Sequence, residues 1–145
     1  MITGKLRIIH RTTSNPGSIA KLGPYGIETF IPVKHEGAAT AYRVAVAPHQ
    51  QTNTSYHRIA EELYCVLAGN GIAYLDGVPY RLQTGDFLRL PPGVKHRFET
   101  GSESLVMLDV HVPGCRPDRD TYFVDETPEG FTGAPLPADG ATGST

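Results

Sequence analysis

The chain has 145 residues, of which 39% are hydrophobic and 19% charged, a composition typical of one folded globular domain. Its net charge of -2 and the lack of any run of more than two Lys or Arg exclude the basic footprint of a nucleic-acid-binding protein. No signal-peptide pattern opens the chain and no stretch reaches the roughly eighteen apolar residues of a membrane span. We therefore expect a cytoplasmic protein without a membrane or nucleic-acid partner.

The N-terminal region, residues 1–41, is predicted to be an arm with one edge strand at Phe30–Val33. Two stretches rich in turn-forming residues, Thr12–Ser18 and Gly23–Gly26, are predicted to be loops. The arm is followed by a region with a different pattern.

Residues 42–112 are predicted to form an all-β, antiparallel barrel core. Short runs rich in Val, Leu, Ile, Tyr and Phe alternate there with turn residues, and no long stretch carries a helical period. The predicted strands are Tyr42–Ala47, Ser55–His57, Glu62–Leu67, Ile72–Leu75, Val78–Leu82, Asp86–Leu90, Lys95–Glu99 and Leu105–Val112.

Glycine-containing turns separate these strands, and Asp76-Gly77 is the clearest hairpin signal. Gly69-Asn70-Gly71 is predicted to be another turn. Pro79 cannot donate a ladder hydrogen bond, so its strand is expected to lie at an edge or to begin beyond it.

The region after residue 112 is rich in Pro, Gly and acidic residues. We predict that residues 113–132 form a C-terminal extension packed on the barrel, with one strand at Thr121–Val124, and that residues 133–145 form a loose tail.

Two segments of the barrel region carry residues that can hold a metal ion. His57 and Glu62 lie five positions apart at a sharp strand connection, which allows both side chains to reach one ion. The second segment runs from Gly85 through a Pro-Pro-Gly corner to His96, which can deliver a third ligand. Two imidazoles and one carboxylate form a facial triad that leaves coordination positions open for substrate, oxygen or water.

The spacing of these residues resembles the two sequence motifs of the cupins. His57, Glu62 and Gly69 match the second histidine, the glutamate and the closing glycine of the first motif. The second motif is matched at Gly85, Pro91, Gly93 and His96. The resemblance implies a jelly-roll β-barrel with a site in its mouth, one divalent transition metal per chain (Fe, Zn, Mn, Ni or Cu) and a homodimer.

Three positions depart from the cupin pattern. Ser55 stands where the first metal-binding histidine is usual, His49 replaces the opening glycine, and Thr100 replaces the final asparagine. Because a serine hydroxyl is a poor ligand for transition metals, we expect a site of His57, Glu62 and His96 that binds metal more weakly than one with three histidines. The alternative is a relic of a metal site, used for acid-base chemistry or for hydrogen bonding.

Strand alternation identifies candidate pocket residues. Tyr64 and Val66 share a face with Glu62, and Phe98 shares one with His96. Ser55 is also placed in the pocket. Tyr64 could protonate or orient a substrate, or fill the core, whereas Glu61 points to the opposite face as a surface carboxylate.

The last predicted strand leaves two interpretations open. His111 and Asp109 share one face, and Val106, Leu108, Val110 and Val112 share the other. His111 is a pocket base or ligand if the polar set faces inward, and a surface histidine if it faces solvent or another subunit, which is the interpretation we favour. Cys65 and Cys115 form no recognisable zinc or disulfide pattern and receive no role.

The favoured function is a metal-dependent enzyme acting on a small molecule, either a dioxygenase or a Lewis-acid isomerase, cyclase or lyase. The second is a metal-independent epimerase or dehydratase, with His57 or His96 as base and Tyr64 as acid, which Ser55 favours. The third is a cupin module that binds or senses a small ligand.

Overall fold

A computed structural model describes residues 6–12, 19–129 and 131, and β-strands make up nearly all of its regular structure. Every strand pair is antiparallel, which agrees with the predicted all-β jelly roll. The elements are β1 (Ala20–Leu22), β2 (Tyr25–Thr29), a short 3-10 helix (Val33–His35), β3 (Thr40–Val46), β4 (Ser55–Tyr56), β5 (Glu61–Leu75), β6 (Val78–Gln83), β7 (Phe87–Leu90), β8 (His96–Glu99), β9 (Leu105–Val112) and β10 (Tyr122–Phe123).

The sheet folds into two layers because β5 belongs to both. The first layer has the order β1-β2-β3-β9-β5-β7 and uses the N-terminal part of β5. The second has the order β6-β5-β8-β4-β10 and uses its C-terminal part. A register shift between Val66 and Ala68 marks the bend between the two parts.

The turn predicted at Gly69-Asn70-Gly71 is wrong, because β5 continues through these residues. A Cβ at Gly69 would lie 1.7 Å from the carbonyl oxygen of Ser104, and Gly69 has a φ of 79°. The glycine is therefore needed for a close approach between two backbones and not for a chain reversal.

The core lies between the layers, where inward-facing side chains of both sheets alternate with outward-facing ones. Its buried cluster contains Val46, Tyr64, Val66, Ala73, Leu82, Leu90, Phe98, Leu105 and Met107. The polar residues of the candidate site, described below, lie next to this cluster.

The hairpin predicted at Asp76-Gly77 is confirmed. Both residues have positive φ, 49° and 83°, as a type I′ turn requires, and Leu75 pairs with Val78 across it. Within the described residues β6 pairs only with β5, so Pro79 lies on an edge strand as expected.

Several predictions outside the barrel core need correction. The strand predicted at Phe30–Val33 is wrong: the strands before β3 are β1, at the sheet edge, and β2, and Val33–His35 form the 3-10 helix after Pro32, which cannot extend a ladder. Tyr25 and Gly26, predicted as loop, belong to β2. The remaining loop prediction, Thr12–Ser18, lies outside the described residues apart from Thr12, and so does the predicted tail, 133–145.

At the C-terminal side, the predicted strand Thr121–Val124 is observed as the shorter β10, which pairs with β4. In the described ranges no helix is long and apolar enough to cross a membrane.

Candidate functional site

The structure brings His57, Glu62 and His96 together, all three buried at a cavity of about 70 Å³. The Nε2 atoms of His57 and His96 lie 3.1 Å and 3.2 Å from Oε1 of Glu62. A ligand-capable atom from each of the three side chains lies within 4.8 Å of the other two. This is the set that the motif spacing predicted.

Backbone contacts bring the two motifs into register. The amide of Gly93, at the Pro-Pro-Gly corner, donates a 2.7 Å hydrogen bond to the carbonyl of His57. His96 begins β8, where it pairs with Ser55 on one side and with Leu75 on the other. The second motif is thereby attached directly to the first.

Both histidines have a backbone carbonyl as the partner of Nδ1. His57 Nδ1 lies 2.7 Å from the carbonyl oxygen of Asp120, and His96 Nδ1 lies 3.1 Å from that of Val94. A carbonyl only accepts hydrogen bonds, so Nδ1 carries the proton in each ring. The neutral rings therefore direct the Nε2 lone pair towards Glu62, the arrangement found in metal-ligating histidines.

The three side chains fit a divalent transition metal. When both rings are neutral, two imidazole lone pairs and one carboxylate oxygen converge with no hydrogen atom between them, so a cation or added protons must balance them. Ligands about 2.0–2.2 Å from one metal ion are separated by about 3.0 Å in octahedral and about 3.4 Å in tetrahedral geometry. The separations of 3.1 Å and 3.2 Å lie in this interval.

The pKa shifts of these side chains also indicate that the Glu62 carboxylate needs positive charge beside it. Burial opposes protonation of His57, but the Glu62 carboxylate and contacts with Cys115 raise the pKa of His57 to about 11. Burial would raise the pKa of Glu62, yet the three neighbouring histidines hold it well below its usual value. Burial lowers the pKa of His96. In the absence of a metal, protons on the histidines balance the charge of Glu62.

His111 faces this cavity, so the favoured prediction that it is a surface histidine is wrong. Its side chain is 4% exposed, it pairs with Glu62 across β5 and β9, and its Nε2 lies 2.8 Å from Oε2 of Glu62. The apolar set of β9 lies on the outer face, where Val106, Leu108 and Val110 are half-buried and Val112 is exposed. Strand alternation separated the polar and apolar sets of β9 correctly, but it could not decide which set faces the cavity.

Asp109 is a site residue that the sequence analysis did not assign to the site. It shares the inner face of β9 with His111, and its Oδ1 makes no hydrogen bond within the described part of the chain. Burial and the Glu62 carboxylate raise the pKa of Asp109 well above its usual value. The pKa values of these two carboxyl groups are thus shifted in opposite directions, as in sites that divide acid and base roles.

The C-terminal extension supplies a further unpredicted residue, Cys115. Its Sγ lies 3.4 Å from His57 Nδ1, and the side chain is 2% exposed. Burial opposes ionisation, but hydrogen bonds from His111 and His57 lower the pKa of the thiol to about 7. Nothing in the spacing of the two cysteines indicated this position.

Of the predicted pocket residues, Ser55 and Tyr64 line the cavity, whereas Val66 and Phe98 lie in the core below it. Ser55 Oγ is 3.5 Å from His96 Nε2. Burial raises the pKa of Tyr64 well above its usual value, so its hydroxyl remains a proton donor. Further walls come from Tyr25, Ile27, Tyr42, Val44, Arg116, Pro117, Thr121, Phe123 and Phe131.

Comparison with known proteins agrees with this architecture. A model of the cupin domain family matches residues 42–111. The chain is 36% identical over 80 residues to Protein SchB of Streptomyces halstedii, which covers 55% of this chain and 58% of SchB. An uncharacterised protein of Methanocaldococcus jannaschii is 29% identical over 97 residues, 66% of this chain and 78% of that protein. The chain thus spans little more than half the length of SchB.

Solved structures show the same fold at low identity. The nucleoside dehydratase Pac13, from Streptomyces, superposes with a TM-score of 0.64 at 19% identity, over 79% of this chain and 90% of Pac13. KdgF from Halomonas superposes with a TM-score of 0.60 at 15% identity, over 67% and 86% of the two chains. The family match shows a cupin domain at residues 42–111, and the solved structures show the same fold.

Proposed function

We propose that this protein is a metal-dependent small-molecule enzyme, with one divalent transition metal held by His57, Glu62 and His96. The observation that carries the proposal is the convergence of two Nε2 atoms on one carboxylate oxygen at 3.1–3.2 Å. Backbone carbonyl groups hydrogen-bond to Nδ1 of both rings and fix the ring orientation, as the partners of metal-binding histidines do. The same cavity is also lined by Tyr64, Asp109 and His111, which can take part in the chemistry.

A divalent metal bound here would supply either Lewis-acid polarisation of a substrate oxygen or a binding position for dioxygen. The side chains of the cavity contribute the remaining chemistry. The Tyr64 hydroxyl donates a hydrogen bond to a substrate oxygen, and the raised pKa of Asp109 keeps a proton available on its carboxyl group. Aromatic walls such as Phe123 and Phe131 exclude water.

Elemental analysis of protein purified without chelator or affinity metal tests the proposal, with about one transition metal per chain expected. Iron would favour oxygen chemistry, and zinc would favour Lewis-acid chemistry. His57→Ala and His96→Ala should each lose the metal while the fold persists. Glu61→Ala is the matched control, because Glu61 points outward and forms a surface ion pair with Arg89.

A chain that binds none of the five candidate metals, or histidine variants with unchanged metal content, would contradict the assignment. Loss of metal from Glu61→Ala as well would show that the effect is not specific to the site.

A second candidate, a metal-independent dehydratase, is favoured by the Glu62–Asp109 pair. The two carboxyl groups have oppositely shifted pKa values, and His111 contacts Glu62, so a base and an acid face one cavity. The likeness to Pac13 shows the fold alone. Incubation of metal-free protein with nucleosides and mass-spectrometric detection of water loss tests this candidate, and Asp109→Asn should abolish the reaction.

A further inference from the structure

We propose that Asp120 is a positioning residue that holds His57 in its ligand orientation, an inference that rests on the proposed function only for its effect on metal binding. Asp120 lies in the C-terminal extension, outside both cupin motifs. It contacts His57 and the loop that connects His57 to Glu62.

The Asp120 carboxylate accepts hydrogen bonds from three consecutive backbone amides. Its Oδ1 lies 2.8 Å from the amide nitrogen of Arg58, and its Oδ2 lies 3.2 Å from that of Ile59 and 2.9 Å from that of Ala60. These three residues follow His57 directly and, with it, make up the connection 57–60 between β4 and β5. Hydrogen bonds to a charged acceptor are stronger than neutral ones, so the carboxylate fixes the path of this loop.

The backbone of Asp120 holds the imidazole itself. Its carbonyl oxygen is the 2.7 Å partner of His57 Nδ1, which determines that Nε2 faces Glu62. The φ of Asp120 is 58°, a left-handed conformation that Asp and Asn adopt more readily than most residues. One residue therefore constrains both the ring and the loop of a single ligand.

Removing the carboxylate should loosen His57 without removing any ligand. The three loop amides lose their acceptor, and the carbonyl that holds Nδ1 is no longer anchored to the loop. Partners of metal ligands typically change affinity by about 10–100-fold when mutated, and we expect a loss in this range.

The experiment compares Asp120→Gly, which keeps the left-handed φ accessible, with Asp120→Asn, which retains one acceptor oxygen and tolerates the same φ. Asp118→Gly is the matched control, because the Asp118 side chain is 61% exposed and pairs only with Arg116 among the contacts of the described chain. Zn²⁺ affinity is measured by competition with a chromophoric chelator. Amide hydrogen exchange of residues 58–60 and the His57 imidazole ¹⁵N shifts are measured in the metal-free protein.

The proposal expects Asp120→Gly to weaken Zn²⁺ binding by about 10–100-fold and to accelerate exchange at residues 58–60 by about tenfold or more. Asp120→Asn should recover part of both losses, and Asp118→Gly should match the wild type. Wild-type Zn²⁺ affinity in folded Asp120→Gly would overturn the proposal, because a structural role alone lowers global stability and not the affinity of the folded molecule.

Failure of the wild type to bind any metal would instead refute the proposed function. The metal-free measurements still decide the role of Asp120 in that case: altered exchange and altered His57 shifts support it, and unchanged values overturn it.

Discussion

Gly69→Ala should be among the most destabilising single substitutions in the barrel. The φ of 79° alone costs an alanine about 1–2 kcal/mol. The added Cβ would also lie 1.7 Å from the carbonyl oxygen and 2.9 Å from the carbonyl carbon of Ser104. Both are backbone atoms, so β9 must shift by roughly 1 Å in a close-packed interior, and we expect a total loss of about 4 kcal/mol or more.

Gly77→Ala isolates the conformational part of this cost. Gly77 has a similar φ of 83°, but nothing lies within 4 Å of the position of its Cβ. Urea denaturation of both variants gives the difference in the free energy of unfolding, which should be about 2–3 kcal/mol larger for Gly69→Ala. Equal destabilisation of the two variants would refute the argument that the glycine is required by backbone contact.

Ser55→His should raise metal affinity by roughly tenfold, because it adds an imidazole beside His96 where most cupins carry one; calorimetric titration measures this, and unchanged affinity would contradict it. The fold should lose stability as the pH rises above 10. Burial raises the pKa of Tyr25, Tyr42 and Tyr64 above the ordinary value of 10, to about 12 for Tyr42. The unfolded chain then releases these protons first, so the stability present below pH 10 declines as the pH approaches the folded-state values. Denaturation midpoints and ultraviolet titration across this range check the prediction, and phenols that all titrate near 10 would argue against it.

The convergence of His57, Glu62 and His96 could be predicted because the fold places fixed motif positions together. His57 and Glu62 sit on either side of one short connection, and His96 follows a corner whose amide bonds to His57. Such local spacing determines which residues meet once the strands are antiparallel.

The rest of the site depends on contacts between distant parts of the chain. His111 and Asp109 lie on a strand whose two faces could not be distinguished, since its apolar set is the outward one. Cys115 and Asp120 come from an irregular extension, where no periodicity predicts a side-chain direction. Their contacts with His57 join positions that lie 58 and 63 residues apart in the chain.

The departures from the cupin motifs have local explanations in two cases. His49 has a φ of 58°, a conformation that the glycine found in the family adopts without strain. The hydroxyl of Thr100 donates to the carbonyl of Ala47 at 2.6 Å and accepts from the amide of Gln50 at 3.0 Å. Threonine therefore secures the loop after β3 in place of asparagine.

Because β5 belongs to both layers of the sheet, some walls of the cavity can change during evolution more easily than others. Glu62, Tyr64 and Val66 belong to a strand that joins both layers, so substitutions there disturb the whole barrel. The cavity walls at Pro117, Phe123 and Phe131 belong instead to the C-terminal extension. Substitutions in that extension can therefore reshape the cavity while the arrangement of His57, Glu62 and His96 stays unchanged, provided that Asp120 is retained.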